Sequence, residues 1–174
     1  MDEEFETVEA SKVEAYRSRI DRAEGFNEIW ELVKETVRDS VGERRIGMLL
    51  FLDDLPLQLG AYHPVGTNNI VLNRALISVV ESATRTRSLV NAFVYSLLAH
   101  EYLHALGHMS EGEVRSLVRK VSRDCFGGDH TVTRLAEESP WSLLRGIPLG
   151  RIEVHGYGIE VVKDFEESSQ RYIS

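Results

Sequence analysis

The chain has 174 residues, one cysteine and a net charge of −8 from 20 basic and 28 acidic side chains. That length suffices for one domain with its own core, and a lone cysteine, Cys125, excludes an internal disulfide and suits a reducing, cytoplasmic setting. The acidic balance disfavours nucleic acid and anionic membranes as partners, the stretch Leu89 to Ala99 is too short and too soon charged to span a bilayer, and the acidic N-terminus does not read as a secretory signal.

In chain order, Ser11 and Glu14 make a capping-box pattern ahead of Tyr16 and Ile20, which predicts a helix over 11–23. Phe26, Ile29, Trp30, Val33 and Val37 recur at helical spacing and Gly42 ends a second helix. The continuous apolar run Ile46 to Leu52 predicts a buried strand, stopped by Asp53-Asp54-Leu55-Pro56. Residues 60–69 read as a turn-rich loop, and Asn69-Ile70-Val71-Leu72-Asn73 as a short, edge-like strand. A third helix starts near Thr86 or Ser88 and runs to about Leu106, with Val90, Phe93, Val94, Leu97 and Leu98 on a broad apolar face. After Gly107, Ser110 and Glu113 suggest a capping box for a fourth helix striped by Val114, Leu117, Val118 and Val121. Cys125 to Asp129 reads as a loop, 131–138 as a short helix, and Arg151 to Val162 as a hairpin turning through Gly156-Tyr157-Gly158. The expected fold is α+β: a small mixed sheet with an active-site helix and flanking N-terminal helices. The chain divides into an N-terminal helical extension (1–43), a core (44–140) and a C-terminal tail or hairpin (141–174).

The chemistry lies in His100-Glu101-Tyr102-Leu103-His104, an H-E-x-x-H run on the third helix. Residues four apart share a helix face, about 6 Å apart along the axis. Two imidazoles so placed can both reach one Zn²⁺ at about 2.0–2.1 Å. Glu101 then stands beside the metal rather than on it, where it can take a proton from water. Two histidines and a glutamate on a core helix are costly to bury unless paired or ligating, which argues against a chance match.

His100 to Gly107, HEYLHALG, resembles the active-site helix of the zincin metallopeptidases, and the short chain with its strand-then-helix order is similar to small archaeal minigluzincin-type peptidases. The likeness spans about 60 residues, from the Asn69–Asn73 strand to the loop around His130, a span taken from the order of elements expected of an H-E-x-x-H peptidase. It implies that His100 and His104 are zinc ligands, that Glu101 is the general base, and that Ile70 to Asn73 serve as an edge strand binding the backbone of a peptide or protein substrate. The metzincin pattern fits through Gly107 but ends on Ser110, and no N-E-x-x-S-D run follows.

The third ligand is therefore open. His108 is eight residues past His100, about 12 Å along a continuous helix, which favours a solvated helix-end histidine. Glu111 lies past the glycine break, near the edge of the fourth helix's apolar face. His130 is preferred: it follows Gly127-Gly128 and Asp129, and about seven extended residues return the chain across the length of the fourth helix. A histidine at a helix N-terminus also stays neutral, as a ligand must. His63, His155 and Tyr157 are chemically able to stabilise an oxyanion, though an ordinary structural or surface role suits each better. Cys125 has no evident base beside it and reads as a reduced packing residue. The expected activity is zinc-dependent peptide hydrolysis. The alternatives are a non-catalytic zinc-binding interaction module, and an enzyme held latent by the tail Arg151 to Ser174.

Overall fold

In the computed structural model, which describes residues 8–162, helix α1 (Ala10–Arg22) buries Tyr16 and Ile20, and helix α2 (Phe26–Val41) buries Ile29, Trp30, Leu32, Val33 and Val37. Ser11 falls inside α1 and Glu9 stands at its start without a side-chain bond, so the expected Ser11–Glu14 cap does not form. Helix α2 ends as expected at Gly42, whose φ of 79° is the left-handed conformation that favours glycine.

Strand β1 (Leu49–Asp53) starts three residues later than the apolar run suggested, because Gly47 turns with φ 78° and leaves Ile46 exposed. Strand β2 (Ala61–Tyr62) arises inside the expected loop. Strand β3 (Asn69–Asn73) pairs in parallel with β1, Leu50 against Ile70 and Leu52 against Leu72, and antiparallel with β2, Ala61 against Leu72. The tail is not a hairpin. Residues 153–159 run without regular structure, and β4 (Glu160–Val161) adds antiparallel to β1. The sheet is thus mixed, ordered β2-β3-β1-β4, and the fold is α+β. This order corrects the edge-strand expectation for Ile70 to Asn73. Both sides of β3 are hydrogen-bonded to neighbours, and the edge belongs to β2.

A helix the periodicity did not reveal, α3 (Arg74–Thr84), follows β3 directly. Then come α4 (Arg87–Ala105), α5 (Glu111–Phe126) and α6 (Thr131–Glu138), and two short 3₁₀ turns (Pro140–Leu144 and Leu149–Arg151). Cys125 and Phe126 close α5 rather than opening a loop. Helix α4 is the centre of the packing, with twelve of its nineteen residues buried. Tyr95 and Tyr102 anchor it. Tyr95 meets Phe126 edge-on at 5.1 Å and its hydroxyl lies 2.6 Å from Thr36 Oγ1. Tyr102 meets Trp30 edge-on at 4.9 Å and its hydroxyl accepts from Arg45 N at 2.7 Å. Burying each ring contributes roughly 2–3 kcal/mol, and the satisfied hydroxyls remove the penalty that buried polar atoms would carry. Asn91 donates to the carbonyls of Ile20 and Ala23, both at 2.9 Å, closing the end of α1 onto α4. No helix among the described residues is long and apolar enough to cross a membrane.

Asn73 holds the loop between β1 and β2. Its amide nitrogen reaches the carbonyls of Leu55, Pro56 and Leu59 at 3.1, 3.1 and 2.8 Å, and its amide oxygen accepts from Leu55 N and caps α3 at Leu76 N. Asn73 is wholly buried, so Asn73→Ala strands several backbone groups. The variant is expected to lose about 3 kcal/mol in a urea unfolding titration; a loss below about 1 kcal/mol is incompatible with this role.

Candidate metal centre

The last turns of α4 carry His100, Glu101 and His104. Gly107, with φ 108°, ends the helix by donating to His104 O at 3.0 Å, while His108 N donates to Leu103 O at 3.2 Å. This double-bonded reversal requires a residue at ease with positive φ. It turns the chain so that Ser110 caps α5, accepting from Glu113 N at 3.3 Å. The reciprocal half of the expected box is not made, because the Glu113 carboxylate accepts instead from His108 Nδ1 at 2.8 Å. His108 Nε2 faces Glu43 at 2.9 Å, so this histidine is ion-paired rather than solvated. Burial would lower its pKa, but Glu113 and Glu43 outweigh it and raise it.

The same reversal delivers Glu111 to the two imidazoles. Its carboxylate lies 2.9 Å from His100 Nε2 and 2.8 Å from His104 Nε2. One ligand atom from each of His100, His104 and Glu111 falls within 4.8 Å of the others. Tetrahedral donors at about 2.0–2.1 Å from zinc stand about 3.4 Å apart, so small side-chain rotations would open the cluster to that geometry. The proton count points the same way. His104 Nδ1 lies 2.8 Å from the His108 carbonyl, which only accepts, so Nδ1 bears the hydrogen. In the neutral ring Nε2 then presents a lone pair to a carboxylate oxygen, and that contact needs a proton or a metal cation between the two. Two imidazoles and one carboxylate form a donor set suited to catalytic zinc.

His130, preferred from the sequence, is not brought to this cluster. Its Nε2 pairs with Asp21 at 2.9 Å, its Nδ1 accepts from Val132 N at 3.1 Å to cap α6, and its ring stacks on Phe126. Both nitrogens are committed and the residue is buried, so it serves as a structural link between α1 and α6. The correction has a simple cause: the turn at Gly107 supplies Glu111 before the chain has to travel along α5 and back.

Glu101 lines a cleft of about 600 Å³ together with His100, Glu111, Gly60 and Ala61. Burial, reinforced by the Glu111 charge, pushes its carboxyl up to about 8, against a hydrogen bond from the His63 backbone. Burial holds His100 below its ordinary value. Burial would raise Glu111, but the two histidines outweigh it and bring its pKa down. His63 itself binds Asn69 O through Nδ1 at 2.8 Å. His155 and Tyr157 lie outside this cleft, exposed on the segment leading to β4. Cys125 is buried, points at Thr36 O, and burial pushes its thiol up to about 12, as suits an inert packing residue. Ser96, Arg115 and Arg119 also line the cleft, and no sequence motif singled them out.

A cluster of two histidines and a glutamate beside a second, partly buried glutamate defines a candidate metal centre at an open cleft. No family model, curated protein or solved structure matches this chain. The part each side chain plays can be separated by metal analysis. One zinc per chain is expected in the parent and in His130→Ala, and well under a tenth of that in His100→Ala, His104→Ala and Glu111→Ala after dialysis. His130→Ala is expected to lower the melting temperature instead, through the lost Asp21 and Val132 contacts. Loss of zinc from His130→Ala with a normal melting temperature would reverse the assignment.

Proposed function

We propose that this protein is a zinc-dependent metallopeptidase in which His100, His104 and Glu111 hold the ion and Glu101 is the general base. The observation that carries the proposal is the convergence of three donors, His100 and Glu111 lining a cleft and His104 beside them, next to the further carboxylate of Glu101 in the same wall. Three protein donors leave a coordination position open, as catalytic sites do and closed structural sites do not. A zinc ion there supplies a Lewis acid that polarises a carbonyl and acidifies water near neutral pH.

The chain's own groups account for the remaining steps. Strand β2 (Ala61–Tyr62) ends the sheet, and Ala61 lines the cleft with His100, so its outer edge can pair with an extended peptide. Glu101 removes a proton from the attacking water as oxygen adds to the carbonyl carbon. It then delivers that proton to the nitrogen as the C–N bond breaks, and the acid formed gives up its remaining proton to the amine, leaving a carboxylate and an ammonium. The cation's charge would draw the carboxyl of Glu101 back toward the ionised form the base needs. The described part of the tail lies along β1, at the opposite side of the sheet from β2, and contributes nothing to the cleft lining. Tail-imposed latency, so far as residues 151–162 are concerned, is therefore not part of this proposal.

Glu101→Gln is expected to lower hydrolysis of a fluorogenic peptide library at least about 100-fold, the scale of a lost general base, with zinc content unchanged. Full zinc-dependent turnover by this variant excludes Glu101 as the base. Absence of any chelator-sensitive hydrolysis by the zinc-loaded parent excludes the peptidase itself.

A further inference from the structure

Helix α5 carries Glu111, Arg115 and Arg119 at successive intervals of four, and all three line the cleft. At 1.5 Å per residue the arginines stand about 6 and 12 Å along the axis from Glu111. Both are exposed, and neither guanidinium makes a hydrogen bond or an ion pair among the described residues. Several other cations are matched, Arg19 by Glu35, Arg74 by Asp54, and Arg123 by Glu137, itself a cleft residue. Of the other carboxylates of the lining, Glu111 is engaged by the histidines, which leaves Glu101, beside the histidines, and Glu138, at the end of α6, as the carboxylates without a cationic partner among the described residues. A second unmet polar demand lies in the same lining. The Ser96 hydroxyl, one helical turn before His100, is buried without a hydrogen-bond partner among the described residues.

We infer that Arg115 and Arg119 form a carboxylate-binding subsite that selects peptides bearing an acidic side chain or a free C-terminus close to the scissile bond. The inference rests on the peptidase reading for its placement next to a reacting bond. An extended peptide advances about 3.3 Å per residue, so Arg115 falls one to two residues from a carbonyl at the metal centre and Arg119 three to four. The guanidinium fork matches a carboxylate in a bidentate, charge-assisted pair. With no partner among the described residues to give up, each arginine offers that pair without breaking a bond to them first. Ser96 supplies a further polar contact deeper in the wall.

The experiment uses the full chain and four short peptides, aspartate or asparagine at the same position, each as free acid and as C-terminal amide. Binding is read from the fluorescence of Trp141, which lines the cleft, against the fully buried Trp30 as background. With metal-free protein, the best carboxylate-bearing peptide is expected to bind about tenfold or more tightly than the neutral asparagine amide. The preference should disappear in Arg115→Ala/Arg119→Ala, and Arg115→Glu/Arg119→Glu should favour a lysine peptide instead. Dependence on the aspartate assigns the subsite to an internal acidic residue, and dependence on the free acid assigns it to the C-terminus. Both arginines are exposed, so the variants are expected to fold, and circular dichroism checks this. Equal binding of charged and neutral peptides, binding of none, or a preference surviving in the double alanine variant overturns the inference. Selective binding without hydrolysis after zinc loading would remove the peptidase reading and leave the subsite standing. Zinc-dependent hydrolysis of all four peptides at one rate would do the opposite.

Discussion

The burial of α4 is the constraint on which the rest of the structure depends. A helix packed on most of its circumference has few directions in which polar side chains can leave it. Tyr95, Tyr102, Phe93 and Leu98 fix its rotation within the core. Once that rotation is set, His100, Glu101 and His104 must emerge where the neighbouring elements leave a gap, between β2 and α5. The energy that orients the site is therefore the burial of aromatic and aliphatic groups one and two turns away, at roughly 2–3 kcal/mol each. The site residues contribute little to holding the helix. They are the polar exceptions that the core can accommodate only because the gap exists.

That gap sets the electrostatics. A carboxylate in a partly buried wall is raised by desolvation, and a second carboxylate close by raises it further. Glu101 experiences both effects. Glu111 experiences the first but is compensated by two imidazoles within hydrogen-bonding distance. The two glutamates thus take different parts: one is bound to the histidine pair, and the other stands beside it without a cationic partner. Environment alone thus separates two residues of the same type ten positions apart, as the proposed roles of proton acceptor and ligand require.

Much of this arrangement is legible in the chain. The i, i+4 histidines, the glutamate between them, the glycine that ends α4 and the cap at Ser110 all act through local geometry, which sequence spacing encodes. What failed was non-local. Whether His130 turns to a metal or to Asp21 depends on where α1 lies, and no pattern near residue 130 carries that information. Glu111 has an ordinary reading as an acidic residue in a first helical turn; its place at the two histidines comes from the angle between α4 and α5, set at Gly107. Strand β3 was placed at an edge because it is short, yet β1 and β2 cover both its sides. Helix α3 was missed because Ile77, Val79 and Val80 crowd residues of strand propensity directly after a true strand, and the Asn73 cap looks like a strand end until its side chain is seen. Arg115 and Arg119 read as ordinary solvated charge; their place in the cleft lining, at successive turns of α5 from Glu111, sets them apart.

The two edges of the sheet are built differently. An unpaired strand edge invites pairing with any extended chain. At the β1 side that edge is closed by β4 from the chain itself, with Val162 N donating to Leu50 O at 2.9 Å. The closure is pinned by Arg74, which binds the buried Asp54 at 2.7 Å and reaches Gly158 O and Glu160, while Asp54 also accepts from Tyr157 N. A carboxylate bridging a guanidinium and a backbone amide is a charge-assisted clamp, stronger than either neutral bond alone. At the other side β2 is two residues long, too short to template aggregation, and it ends beside His100. The strap moves the far edge of the sheet onto the two-residue β4, away from the cleft, while β2 keeps the other edge short and next to a cleft lined by His100 and Glu101, where an extended peptide could join the sheet beside the carboxylate proposed to act on it.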